Sequence, residues 1–148
     1  MGNLKEYLSL EHIRCKQKAD SWENAVRLAA KPLLESDRIQ SSYVERTIEK
    51  VKELGPYIVI TQGVALAHAR PKEDVLHESL SMITLDPPVE FGHHTNDPVS
   101  TVFFLAASSD NSHINALMNI AQKLSEDGVR EKIPTLNTPE EIYDLMTR

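Results

Sequence analysis

Apolar positions recur at helical spacing toward both ends of the chain and gather into short continuous runs in its middle. Trp22, Val26, Ala29 and Leu33 make one apolar stripe, the signature of a helix with a single buried face. Asp20 to Glu23 reads as a capping box, with Asp20 as N-cap and Glu23 reaching back. Pro32 has no N–H to donate, so it is expected to kink or restart that helix. Ser42 and Glu45 form a second capping box, and Val44, Ile48 and Val51 give its helix an inner face. Gly55-Pro56 supplies the stop, which predicts a helix over 42–54.

The middle of the chain has strand character. Tyr57–Ile60 is a short apolar run consistent with a buried strand, and Gly63 separates it from a second candidate, Val64–Ala67. Ser79–Leu85 is a third candidate; Pro87-Pro88 is expected to end it, with Val89–Phe91 starting an edge strand. Val99–Ala107 is apolar almost throughout, as a strand at the centre of a sheet must be. Helix returns near residue 111, where Ile114, Leu117, Met118, Ala121 and Leu124 recur at helical spacing before Gly128. A closing helix begins at Thr138-Pro139-Glu140-Glu141, with Ile142, Leu145 and Met146 inward. No repeat or low-complexity stretch interrupts this order, so residues 1–148 read as one α/β sandwich.

Composition narrows the function classes. The 148 residues carry 16 Lys+Arg against 22 Asp+Glu, a net charge of −6, and no basic run that would neutralise a phosphate backbone. A single cysteine excludes an internal disulfide framework and a cysteine-based zinc finger. No apolar run approaches a membrane span, and the first residues lack the apolar core of a signal peptide. Gly2 begins a myristoylation-like pattern that Glu6 breaks. A soluble cytoplasmic protein is the expectation. Without a Walker-type loop or a G-x-S-x-G elbow, neither nucleotide binding nor serine hydrolysis is expected.

The candidate chemistry lies in the histidines His12, His68, His77, His93, His94 and His113. Histidine is a nucleophile, a proton carrier and a metal ligand near neutral pH. His68 ends a strand of small residues, with Arg70 two positions on and Pro71 after it. In an extended segment Arg70 projects on the side of His68, where a guanidinium matches the geometry of a phosphoryl group. The competing reading is a loop histidine beside a solvated arginine. His113 falls in the first turn of its helix, where free N–H groups favour an anion; a surface or capping histidine is the alternative. His93, His94 and Asp97 contain metal-ligand residue types, but their spacing suits a polar turn better. His12 and His77 stand in polar surroundings and carry no signal, and Cys15 reads as a half-buried structural thiol.

Three segments together resemble the enzyme IIA domains of the bacterial sugar phosphotransferase system, mannitol/fructose type. They are G-V-A-L-A-H-A-R-P at 63–71, the strand V-S-T-V-F-F-L-A-A, and S-S-D-N-S-H-I-N-A-L at 108–117. The H-A-R-P tail, D-S-W-E-N-A-V-R-L-A at 20–29 and E-L-G-P-Y-I-V-I at 53–60 are most similar to the L-ascorbate subgroup. The resemblance implies a single-domain α/β sandwich with a central mixed sheet of about five strands flanked by helices. It implies a phosphohistidine carrier that accepts a phosphoryl group from HPr and passes it to a cysteine of enzyme IIB, which serves a membrane component IIC. His68 aligns with the phosphorylated histidine and His113 with the second active-site histidine; Arg70 is the cation carried by the H-A-R-P match. No metal or other cofactor is implied, and no nucleic acid. The family commonly has proline before the active histidine, where this chain has Ala67, a change expected to loosen the local backbone. Lys50 stands where mannitol-type members carry an active-site arginine, with Arg46 one turn earlier. A regulatory binding module on the same fold is the alternative. A metal protein using His68, His93, His94 and His113 is a third reading.

Overall fold

The apolar run that follows Pro98 does lie at the centre of the sheet. The computed structural model describes residues 4–148, so Gly2 and its lipidation pattern fall outside the described residues. After a 3-10 turn at Leu4–Glu6 come β1 (Leu8–Gln17), α1 (Trp22–Glu35), α2 (Ser41–Leu54), β2 (Val59–Thr61) and β3 (Val64–Ala67). Then follow β4 (Ser79–Val89), β5 (Val99–Ala106), α3 (Asp110–Leu124), α4 (Val129–Lys132), a 3-10 turn at Ile133–Thr135, and α5 (Pro139–Thr147). The strands form one mixed five-stranded sheet in the order β1-β4-β5-β3-β2. β5 is antiparallel to β4 and parallel to β3, while β1 runs parallel to β4.

Alternation along β5 builds two cores. Val102, Phe104 and Ala106 pack with Ala29, Leu33, Tyr43 and Ile48 of α1 and α2. Phe103 and Leu105 pack with Ala116 and Ile120 of α3 and with Ile142 and Leu145 of α5. Successive side chains of a strand point to opposite faces, so a strand covered on both sides must be apolar at every position. Both faces of the sheet are thereby covered, and the ends of the strands are left for chemistry.

Several local expectations are corrected. β1 was not expected, because the first part of the chain reads as helical. It is an edge strand whose register against β4 is irregular between Leu8 and Ile13, which breaks the two-residue period. α1 is capped by Ser21, whose hydroxyl accepts the Asn24 N–H at 3.2 Å, not by Asp20. It runs unbroken past Pro32, which is buried in its last turn. α2 has Gln40 as N-cap with no side-chain capping bond, since Ser42 instead donates to Asp74 at 3.0 Å. Strand β2 is short and at the sheet edge, with Ile60 exposed. β4 continues through Pro87 and Pro88, where its register with β5 is interrupted before Val89 pairs with Val99. Proline is tolerated where no ladder bond is required of it. No separate strand starts at Val89, and Phe91 is buried against Trp22 with ring centroids 6.4 Å apart.

α3 occupies its predicted place but is turned relative to its predicted face. Ala116, Ile120 and Leu124 point inward, while Ile114 and Met118 are 54% and 64% exposed. α5 matches its expectation fully. Thr138 accepts the Glu141 N–H at 3.2 Å, and the Glu141 carboxylate accepts the Thr138 N–H at 3.1 Å. Thr138→Ala is expected to cost about 1 kcal/mol, read as a lowered midpoint in urea unfolding. Among the described residues no helix is long and apolar enough to cross a membrane.

Candidate functional site

His68 is the first residue after β3, half-buried, at the end of a strand whose four residues are all buried. Small Ala65 and Ala67 let β3 lie close against its neighbours and present the imidazole at the strand end. His68 Nδ1 lies 2.8 Å from the Leu66 carbonyl oxygen. A carbonyl only accepts, so Nδ1 carries the hydrogen and Nε2 keeps its lone pair. The tautomer is thus set by the chain's own turn.

His113 is carried by α3, which packs on the face of the sheet to which Val64 and Leu66 of β3 point. Ser109 caps α3 in a reciprocal capping box with Ser112, which sets the first turn and places His113 in it. The His113 ring meets His68 edge-on, with centroids 4.8 Å apart and planes at 66°. Its Nε2 is shielded from solvent and has no hydrogen-bond partner among the described residues. Tyr57 flanks His68 on a further side, with ring centroids 5.5 Å apart at 85°. The Tyr57 hydroxyl donates to the His68 carbonyl at 3.0 Å.

Burial pushes the His68 imidazole below its usual value; the Leu66 bond opposes this and neighbouring His113 adds to it. Burial also lowers His113, against a smaller opposing effect of Asp110. Both rings are therefore neutral at neutral pH, the form in which a histidine nitrogen is a nucleophile. Burial holds the Tyr57 phenol above its ordinary value, so it remains a donor.

The histidines open into a cavity of about 670 Å³ between α2, Tyr57 and the segment after β3. Arg46, Lys50, Arg70 and Lys72 bring positive charge to it, and Glu45, Glu49 and Glu53 bring negative charge. Arg70 is exposed and lines the same cavity as His68, as its spacing predicts. Arg46 is committed elsewhere: it grips Asp74 with two bonds, of 2.7 and 3.0 Å. That pairing, together with the Ser42 hydroxyl, holds the Asp74 carboxyl below the ordinary carboxylate range. Ala67 is fully buried in β3 opposite Phe104.

The remaining candidates lie apart. The loop carrying His93, His94 and Asp97 meets the chain at Gly63, whose N–H donates to Asn96, before β3 begins. His68 lies beyond the far end of β3, roughly 16 Å along at the usual rise per strand residue. The four histidines of the metal reading are therefore not brought together. The Asp97 carboxylate accepts the N–H groups of Phe91, Gly92 and His93, while His93 Nδ1 accepts that of Asn96 at 3.1 Å. These residues shape a turn, and the His93 and His94 rings stack at 5.8 Å. His77 is exposed and Cys15 is half-buried.

His12 is a correction. It is 1% exposed, a burial its polar neighbours along the chain do not indicate, and its Nε2 lies 3.1 Å from the Ser36 hydroxyl. β1 carries it under the C-terminus of α1, so a strand unseen in the pattern hid the burial. Burial lowers its pKa as well. The sign of the stability effect follows: folded His12, His68 and His113 bind protons less readily than in the unfolded chain, where the value is 6.5. Their contribution is complete above that value and is lost as pH falls through the depressed folded values. Urea midpoints are expected to drop between pH 7.5 and 5.5, above the range where carboxylates titrate.

The sequence pattern does not mark Tyr57, Tyr43, Arg46 or Asp74 as site residues. Tyr57 opens an apolar run that reads as strand but lies before β2, and the spacing of the others shows nothing of their partners.

The fold is that of the mannitol-type enzyme IIA proteins. The solution structure of the mannitol-specific cryptic phosphotransferase enzyme IIA CmtB from Escherichia coli superposes with a TM-score of 0.87 at 26% identity, covering 98% of each chain. Residues 6–148 match the family described as phosphoenolpyruvate-dependent sugar phosphotransferase system, EIIA 2, and the chain belongs to that family. It is 32% identical over 137 residues to the ascorbate-specific PTS system EIIA component of Salmonella choleraesuis (strain SC-B67), covering 92% of this chain and 89% of the relative. The corresponding component of Escherichia coli (strain K12) gives the same identity and coverage.

Proposed function

We propose that His68 Nε2 accepts a phosphoryl group from phosphorylated HPr and passes it to a cysteine of enzyme IIB, in the cytoplasm. The observation that carries this reading is the Nδ1–Leu66 bond, which leaves Nε2 as the free nucleophile beside His113. In the first step the bond from phosphorus to the donor's imidazole breaks as the bond to His68 Nε2 forms. The Nδ1 proton stays on Nδ1 throughout. In the second step a thiolate takes the phosphorus and the Nε2 lone pair returns. Phosphoryl transfer depends on in-line positioning and charge stabilisation more than on proton movement.

His113 contributes by offering a ring N–H to an equatorial oxygen, and Arg70 by closing over the group from the exposed side. Exchange between nitrogen and sulfur nucleophiles of protein side chains requires no metal or nucleotide in this chain. The rings of Tyr57 and His113 shield the His68 imidazole on two sides. The names of the relatives support L-ascorbate as the transported sugar, delivered through component IIC, and favour transport over the regulatory alternative.

The test is incubation of the purified chain with phosphoenolpyruvate, enzyme I and HPr, followed by mass spectrometry under non-acidic conditions. An acid-labile phosphate on His68 is expected. Folded protein that takes up no phosphate overturns the reading.

A further inference from the structure

The ladder of β3 ends at Ala67, opposite Phe104, so residues 68 to 70 leave the sheet and lose their strand partners. Their carbonyls are nonetheless held one after another, each by a side chain. The His68 carbonyl accepts the Tyr57 hydroxyl at 3.0 Å. The Tyr43 hydroxyl lies 3.1 Å from the Ala69 carbonyl and 2.9 Å from that of Leu105, and it accepts the Ala69 N–H at 3.1 Å. The Arg70 carbonyl accepts an Arg46 guanidinium N–H at 3.1 Å.

All of these side chains come from α2 or the turn that follows it. Tyr43 and Arg46 are neighbours on one helix face, the guanidinium 5.3 Å from the centre of the Tyr43 ring. Asp74 fixes the guanidinium with two bonds and is itself anchored by Ser42 at 3.0 Å. Burial pushes the Tyr43 phenol up to about 12, so its donor persists at any physiological pH.

We propose that Tyr57, Tyr43 and Arg46 form a clamp on the main chain at 68–70 that positions His68, an inference that rests on His68 as the phosphoryl acceptor. The link is geometric. Nδ1 of His68 reaches the Leu66 carbonyl only if the backbone at 68 and the ring rotamer are both held. The clamp holds the backbone, the Leu66 bond then selects the Nδ1–H tautomer, and Nε2 is directed beside His113. Reaction rates fall steeply when a nucleophile is displaced by about 1 Å. Tyr57, Tyr43 and Arg46 are positioning residues, because they act through the main chain of His68 and its neighbours.

The experiment uses Tyr57→Phe, which removes one hydroxyl and keeps the ring against His68, with Arg46→Lys as a second variant. Single-turnover phosphorylation at saturating phospho-HPr is expected to slow about tenfold in Tyr57→Phe, with the HPr concentration for half-maximal rate unchanged. Nitrogen-15 NMR of His68 in the unphosphorylated protein gives an independent readout. Wild type is expected to show one protonated Nδ1 and one bare Nε2, and the variants an average of the two tautomers. Rates and nitrogen shifts unchanged in both folded variants would overturn the clamp. So would a rate loss that only tracks the unfolded fraction. If wild type takes no phosphate on His68, the acceptor reading fails, while the nitrogen shifts, which require no phosphate, still decide the clamp.

Discussion

Replacing His68 with alanine is expected to abolish phosphoryl uptake from HPr while leaving the fold intact. The Nε2 proposed as nucleophile is removed, and among the described residues no other ring nitrogen occupies its place at the end of β3. The fold should survive because the supports of this segment bond main-chain atoms. Tyr57 still donates to the carbonyl at position 68, and Tyr43 still meets both polar atoms of Ala69. Intact-mass measurement after incubation with the donor system is expected to show full labelling of wild type and none of His68→Ala. Full labelling of the variant would remove His68 from the mechanism, and phosphate found on His113 would transfer the nucleophile's role there. The wild-type rate should be flat above the depressed His68 pKa and fall below it, because a protonated Nε2 has no lone pair to offer.

Replacing His113 with alanine should have the second largest effect, and one of a different kind. His68 keeps its tautomer through Leu66, so labelling still proceeds to completion. Under the proposed mechanism the transition state loses a donor to an equatorial oxygen, the His113 Nε2 being shielded and without a partner among the described residues. Loss of one such donor typically slows a reaction about 100-fold, or about 2.7 kcal/mol. Rapid-quench phosphorylation should show that deficit in the transfer step. His113→Gln retains an N–H of similar reach and should recover part of the rate. Equal rates in wild type and His113→Ala would reduce His113 to a packing partner of His68.

What was legible at the site was local. His68 and His113 each stood out from a few neighbouring residues: small ones before His68, N-capping ones before His113. Spacing says nothing of their meeting, which only the family resemblance implies, since 45 positions separate them and one ends β3 while the other opens α3. Arg46 illustrates the limit. Its one-turn spacing from Lys50 marked it as a nearby cation, yet its charge is spent on Asp74, 28 residues away. Tyr43 reads as one more apolar position on a helix, and its hydroxyl finds Ala69 across 26 residues and Leu105 across 62.

The same division runs through the fold. Capping chemistry at Thr138, the stop at Gly55-Pro56 and the largely apolar run of β5 acted within a few residues, so the chain alone determined α5, the end of α2 and the central strand. The tertiary structure decided which face of α3 turns inward, because apolar residues occupy both sides of that helix and only packing against Phe103 and Leu105 selects Ala116 and Ile120. It also decided β1, a charged edge strand whose irregular register hides its period, and with it the burial of His12. Periodicity and capping are short-range and can be read along the chain. Register, helix rotation and the pairing of polar groups depend on residues far apart in sequence, and they take shape only when the two cores close on the sheet.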